Sequence, residues 1–273
     1  MAGKLYVVGT PIGNLSDFSP RAVQILRDVD FIAAEDTRVT LKLLNHFEIK
    51  KPLVSYYEHN LREKGELILG RILAGENCAV VSDAGMPCIS DPGEDLVRLA
   101  ADAGVETIVI PGPNAAISAL CVSGLSTSRF SFEGFLSTNR KNRLEHLEQI
   151  KNDPHTLIFY EAPHKLLTTL QDLLNVLGDR RAALARELTK VHEEVVRTTL
   201  SEAVARYTEQ SPKGEFVLVL EGARPQETSA FTLEDAVFLA RQLSDGGLKP
   251  SEAAKEAAAA TGFKKAEIYK AML

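Results

Sequence analysis

Short apolar runs alternate with helix-period segments along most of the first half of this chain, and that alternation constrains the fold more than any other feature. "KLYVVG" (4–9), "FIAAED" (31–36), "PLVSY" (52–56), "CAVVSD" (78–83) and "ETIVIPG" (106–112) are short apolar runs ending in Gly, Pro, Asp or Ser. Between them "SPRAVQILRDVD", "LREKGELILGRILAG" and "PGEDLVRLAADAG" repeat apolar residues at helical spacing. Strand-helix-strand order of this kind predicts an α/β fold around a mainly parallel sheet.

Local signals fix several helix ends. Ser19 before Pro20 predicts a cap followed by a first helical position, and Gly104 follows "DLVRLAADA" where a C-terminal cap belongs. "PGPNAAISALCVSG" reads as a strand exit and a helix from near Asn114 to Gly124, after which "LSTSRFS" reads as a linker. The pattern then resumes with "FSFEGFL", "NRKNRLEHLEQIK", "TLIFYE", "HKLLTTLQDLLNVLG", "RAALARE", "EEVVRTTL" and "GEFVLVLEG", a second α/β unit. "ARPQETSA" (223–230) reads as a hinge, and three short helical segments follow. Of these, Thr232 and Asp235 resemble a capping box, and Thr261-Gly262-Phe263 a tight turn. The expected division is 1–125, 126–225 and 226–273: two α/β domains with a ligand cleft between them, plus a small helical module that suggests a helix-turn-helix.

Composition excludes several classes of function. At 45% hydrophobic over 273 residues a core of ordinary size is available, and Cys78, Cys88 and Cys121 lack CxxC spacing or a His cluster, so neither a disulfide framework nor a metal site is expected. The opening "MAGKLYVVG" is too short for a secretory core and no apolar stretch reaches membrane-spanning length, so a cytoplasmic protein without membrane contact is expected. A formal charge of −6 argues against binding driven by bulk charge, and the tail's six basic and six acidic residues argue against DNA.

In an open α/β sheet ligands sit beyond the carboxyl ends of the strands. There the chain places "GTPIGNLSD" (9–17), "AEDTR" (34–38), "SDAGMPCISDPG" (82–93) and "PGPNAA" (111–116). The first is neither a Walker loop nor a dinucleotide fingerprint, because no Lys-Ser/Thr follows and Pro11 stands where a glycine is needed. Four Gly- and Pro-rich loops converging on one crevice suit a flat, polar small molecule held by main-chain groups. Asp83 reads equally as a turn residue or a ligand contact, and Asp91, before Pro92 and Gly93, reads better as a helix cap.

These loops, with "FYEAPHKL", "RELTKVHEE" and "GEFVLVLEG", occur in an order that resembles the tetrapyrrole-methylase superfamily of S-adenosylmethionine-dependent methyltransferases. "GTPIGN" and "SDAG", in place of a "GxGxGD"-like first loop and a "GDP"-like third one, are similar to the branch that methylates ribosomal RNA of the small subunit. The resemblance implies S-adenosylmethionine as methyl donor without a metal, a homodimer, and 16S rRNA in the small ribosomal subunit as partner, methylated on the ribose 2′-hydroxyl of a cytidine in the decoding region. It implies cofactor contacts at Pro11, Asp83, Gly85, Ile89, Asn114 and Ala115, with Tyr160, Leu188 and Gly214 closing from the second domain. A tetrapyrrole-type small-molecule methylase and a non-enzymatic adenosylmethionine-binding regulator are the alternatives.

Candidates for the chemistry are Asp36, as proton acceptor or ribose ligand, and Arg38, as a bidentate phosphate ligand, each balanced by a plain Asp–Arg pair fixing the loop. From the second domain come Glu161 and Lys190, the lysine either contacting phosphate or, if burial lowers its pKa, helping to ionise the hydroxyl. Arg186 and Glu187 stand beside it, while His164 and His192 read as capping or solvent-facing. For RNA the basic positions are Arg140, Lys141 and Arg143, and Lys264 and Lys265 in the tail.

Overall fold

The computed structural model describes residues 1–57, 61–224 and 232–272. They form two compact units, Met1–Ala223 and Arg224–Leu273.

The first unit contains two five-stranded sheets. Strands β1 (Leu5–Val8), β2 (Phe31–Ala34), β3 (Leu53–Ser55), β4 (Cys78–Val81) and β5 (Thr107–Ile110) pair in the order β3-β2-β4-β1-β5, all parallel. Alternate residues of these strands supply two cores. Leu5, Val7, Phe31 and Val80 pack with Ile68 and Ile72 of α3 (Leu61–Leu73) and Leu96 of α4 (Glu94–Asp102). Val8, Ile32, Ala79 and Val81 pack with Leu26 of α1 (Pro20–Asp28) and Leu44 of α2 (Thr37–His46). Burial on both faces explains why the strands read as continuous apolar runs, each buried large aliphatic contributing about 1.5–3 kcal/mol.

The helix ends follow the capping signals. Ser19 Oγ accepts from the Ala22 amide at 3.1 Å with Pro20 at the first helical position, and Gly104, at φ +70°, lies one residue past the C-cap of α4. Helix α5 (Ala115–Ser123) is capped by Asn114, whose Oδ1 accepts from the Ile117 amide at 2.9 Å, and ends on left-handed Gly124.

The second sheet joins β6 (Phe130–Phe135), β7 (Thr156–Glu161), β8 (Arg181–Arg186), β9 (Glu194–Thr199) and β10 (Phe216–Leu220) in the order β6-β7-β10-β8-β9, with only β6 and β7 parallel. One face is covered by α7 (Leu166–Leu177) and α8 (Leu200–Glu209), through Leu166, Leu170, Leu173 and Leu200. The other face, Ile158, Ala183, Val217 and Val219, is covered by Ala116, Ala119 and Leu120 of α5. The helix that follows the last strand of the first sheet therefore packs on the second sheet, and its N-terminus lies where the sheets meet. The expected linker at 126 falls between α5 and β6.

One basic cluster differs from the sequence expectation. Arg143, on α6 (Arg140–Ile150), is buried with two of its nitrogens donating to Asp172 Oδ2 of α7 at 2.7 and 2.9 Å, while Arg140 donates to Oδ1 at 3.1 Å, so Arg143 is a packing residue and not an RNA contact. The helical spacing that placed it beside Arg140 and Lys141 turns its side chain inward.

In the second unit α9 (Leu233–Asp245), α10 (Pro250–Thr261) and α11 (Lys265–Met272) surround Ala236, Ala240, Ala254, Ala257 and Ile268. Thr232 and Asp235 form the expected reciprocal cap at 2.9 and 3.1 Å, and Gly262 turns the chain at φ +77°. The expected hinge at 223–230 lies, from residue 225 onward, outside the described residues. Among the described residues no helix is long and apolar enough to cross a membrane, and no group of His, Cys, Asp and Glu is arranged to hold a metal ion.

Candidate functional site

The four loops that leave the carboxyl ends of β1, β2, β4 and β5 meet at one edge of the parallel sheet. Contact between the first and last of them is permitted by a glycine pair: a Cβ on Gly112 would lie 2.8 Å from the Gly9 backbone. The first and third are tied by a two-residue bridge in which the Thr10 amide donates to the Gly85 carbonyl at 2.8 Å and the Gly85 amide to the Thr10 carbonyl at 3.1 Å. Gly85 sits at φ +84°, a conformation that costs other residues about 1–2 kcal/mol.

Between these loops and the second sheet lies a cleft of about 350 Å³, within the range of small-molecule sites. Its loop wall includes Asp83, Gly85, Ile89, Ser90 and Asp91, with Asn114 and Ala115 at the start of α5. The second sheet faces it with Tyr160, Ala185, Phe216 and Val217, and the segment after β8 adds Glu187, Leu188 and Lys190.

Strain concentrates on the same walls. Of the five non-glycine residues described at positive φ, Cys88 (+71°) and Ser90 (+63°) belong to the loop after β4, and Glu187 (+51°) and Thr189 (+66°) to the segment after β8. Each costs about 1–3 kcal/mol, and such residues cluster at ligand-binding positions. Gly214, at φ +82°, clears space for Glu187, whose side chain would collide with any Cβ there.

Three carboxylates share the loop wall. The Asp36 amide donates to Asp83 Oδ1 at 3.1 Å, and the Asp83 amide donates to Glu35 Oε2 at 3.2 Å, so the loops after β2 and β4 hold one another. Burial pushes the carboxyls of both Glu35 and Asp83 up, against the main-chain bonds that lower them. Asp91 rises furthest, to about 6, through burial first and the charge of Glu35 second. The helix-cap role expected of Asp91 is not observed: Gly93 occupies the N-cap of α4 without a side-chain bond, and Asp91 turns into the cleft instead.

On the opposite wall Lys190 Nζ lies 2.9 Å from both Glu187 Oε1 and Glu215 Oε2. Burial alone would lower its pKa, but the two carboxylates raise it above the usual lysine value. A neutral lysine that ionises a hydroxyl therefore does not fit this geometry. Glu161 also lines the cleft, with its oxygens taken by Thr169 Oγ1 at 2.6 Å and the Ala162 amide at 2.8 Å.

Asp36 and Arg38 lie outside the cleft. Asp36 caps α2 and pairs with Arg38 at 2.6 and 3.0 Å, bonds that lower its carboxyl to about 2 and leave it a poor proton acceptor at neutral pH. This is the loop-fixing pair, with the guanidinium mostly in solvent. Pro11 and Gly214 flank the walls without lining the space, whereas the other expected cofactor contacts line it. Phe135, Phe216 and Glu215 escaped the sequence reading because strand apolarity and surface charge read as ordinary.

The description "Tetrapyrrole (Corrin/Porphyrin) Methylases" matches residues 4–204. A relative from Synechocystis, named "Ribosomal RNA small subunit methyltransferase I", is 49% identical over 272 residues, 99% of this chain and 98% of its own. One of the same name from Thermotoga maritima is 48% identical over 220 residues, 81% of this chain but 99% of its own length. Among solved structures, uroporphyrin-III C-methyl transferase from Thermus thermophilus, complexed with S-adenyl homocysteine, superposes with a TM-score of 0.57 at 19% identity, over 80% of this chain and 97% of that one. That likeness concerns the fold alone.

Proposed function

The chain belongs to the tetrapyrrole methylase family, and from that premise we propose that it transfers a methyl group from S-adenosylmethionine to 16S rRNA of the small ribosomal subunit, on the ribose 2′-hydroxyl of a cytidine in the decoding region. The observation that carries the reading is the cleft itself: main-chain-rich, strained loops of the parallel sheet on one side and an aromatic and aliphatic floor from the second sheet on the other.

The residues present fit the donor. Ile89, Leu188, Phe216 and Val217 offer apolar surface to a ring and a carbon chain, and the loop amides and carbonyls around Gly85 and Asn114 reach its polar groups without intervening Cβ atoms. Asp83 and Glu35 supply negative charge where a sulfonium and an ammonium need it. When bound, the donor supplies an electrophilic methyl group. Everything else is positioning by this chain, which can contribute about 7–11 kcal/mol of barrier reduction, against about 3–5 kcal/mol for a general base.

The same proposal covers four further features. Lys141, whose side chain is largely in solvent, and the exposed part of the Arg140 guanidinium, one nitrogen of which is bonded to Asp172, serve as phosphate contacts. Exposed Val109 on the edge strand β5 and Ile117 on α5 supply apolar surface for a homodimer. The three-domain division at 125 and 225 and a cytoplasmic location complete it.

Incubating the protein with labelled adenosylmethionine and small subunits lacking the modification tests the activity. Label on a 2′-O-methylcytidine after digestion is the expected result. Label on a corrinoid or porphyrinoid with none on ribose overturns it.

A further inference from the structure

A second hollow, of about 570 Å³, opens beside the first, and the two share Glu35, Ser90 and Asp91 as a common wall. Beyond that wall it is lined by Tyr57, Leu61, Cys88, Glu94 and Asp95. Methyl transfer requires two ligands to meet through one opening at in-line geometry. With the donor in the first cleft, the hollow that borders it at Glu35, Ser90 and Asp91 is the adjoining space available to an acceptor.

The lining defines what enters. Glu35, Asp91 and Glu94 accept hydrogen bonds from hydroxyls and from an exocyclic amine, while their charge opposes a phosphate; Asp95 is already paired with Arg98. A nucleotide must therefore enter sugar and base first, swung out of its strand with its phosphates left outside. Tyr57 stands on the rim, where an entering base passes the exposed part of its side chain. The wall is strained and closely backed: Ser90 and Cys88 are held at positive φ, and the strand β6 approaches Ser90 at its bulge, where a Cβ on Gly134 would lie 3.2 Å from Ser90 Oγ.

Of the wall's carboxylates, Glu35 is bonded to the Asp83 amide across the loops, whereas Asp91 sits beside the Ser82 hydroxyl at the boundary of both spaces. Resting on the reading as an RNA methyltransferase, we infer that the second hollow holds the acceptor nucleoside, one with an amino-bearing base, and that Asp91 is the catalytic residue that takes the proton of the acceptor hydroxyl. The hydroxyl oxygen bonds to the methyl carbon as the carbon–sulfur bond breaks, the electron pair of that bond goes to sulfur, and the hydroxyl proton passes to the Asp91 carboxylate. Among the described residues the titratable groups facing Asp91 are Glu35 from the loop after β2, Asp83 and Cys88 from its own loop and Tyr160 from β7. A carboxyl held near 6 is ionised at neutral pH and more basic than an exposed one.

The test uses the full chain, with small subunits lacking the modification as acceptor and adenosylhomocysteine as binding probe. Asp91→Asn should keep the dissociation constant for adenosylhomocysteine within about threefold, slow single-turnover methylation by about 10²–10⁴-fold and remove the acidic limb of its pH profile. Asp91→Glu should restore that limb. Tyr57→Ala should raise KM for subunits about tenfold, more than it lowers kcat. An unchanged rate or an unchanged acidic limb in Asp91→Asn overturns the inference. If Asp91→Asn loses probe binding, the wild-type profile and Tyr57→Ala decide: no acidic limb, or an unaltered KM, overturns it. Wild-type protein that methylates no subunit overturns the RNA reading itself, a result distinct from failure of the variants alone.

Discussion

The hydroxyl of Tyr160, on the central strands of the second sheet, accepts a hydrogen bond from the Ala116 amide in the first turn of α5 at 3.2 Å. One phenol thus satisfies an orphan donor of the helix and joins the two walls of the cleft, with Phe132 and Phe135 packed at 5.0 and 5.4 Å from its ring. Tyr160→Phe keeps the ring and removes the acceptor. It should cost about 1 kcal/mol of stability and weaken adenosylmethionine binding several-fold, by chemical denaturation and calorimetry respectively.

Gly112 is required by contact and not by conformation. An alanine there would press its methyl against the Gly9 backbone, which belongs to the neighbouring strand's exit and cannot step aside. Gly112→Ala should lose about 1–3 kcal/mol and abolish measurable donor binding, whereas Gly70→Ala, which meets open space on α3, should leave both unchanged or gain stability. Melting temperatures of the two variants separate the effects.

Asp91 carries a cost that depends on pH. Its folded carboxyl titrates near 6 against an ordinary value of 3.8, so between about pH 4 and 6 the folded state holds a proton that the unfolded chain has released. This group's contribution to stability therefore declines as pH rises through that window and is flat above it. Asp91→Asn should stabilise the fold by about 1 kcal/mol at pH 7, after allowing for solvent screening, and by almost nothing at pH 3.5. Thermal unfolding at the two pH values measures the difference.

Arg143 should behave as a core residue. Arg143→Ala leaves the buried Asp172 with Arg140, 3.1 Å from Oδ1, as its remaining ion-pair partner and should cost about 3 kcal/mol. A paired Arg143→Met, Asp172→Leu variant should recover most of that loss. At a temperature where it is fully folded the double variant should bind subunits as the wild type does, and a salt-dependence titration would reveal any lost phosphate contact.

The fold was legible wherever burial dominated. Both faces of the parallel sheet are covered, so its strands announce themselves as unbroken apolar runs, and caps such as Ser19, Asn114 and Thr232 mark helix starts by side-chain chemistry alone. Three of the cleft's four loops were visible through their Gly and Pro content, while "AEDTR" after β2 carries neither. Side-chain direction was not: Asp91 and Arg143 were misread because whether a charged residue caps, pairs inside or faces a cavity depends on partners distant in sequence, such as Glu35 and Asp172. Asp36 illustrates the same limit, since its neighbour Arg38 lowers the basicity that would have made it useful.

The placement of α5 bears on how anything gets in or out. Ala116, Ala119 and Leu120 are embedded in the apolar face of the second sheet, although the helix is the direct continuation of β5 in the first. Prying the sheets apart like jaws would uncover that greasy seam at every turnover. The seam therefore fixes the gauge of the first cleft once, at folding, and leaves any widening of that cleft to local rearrangement at its lip, where Lys190 is linked to Glu187 and Glu215.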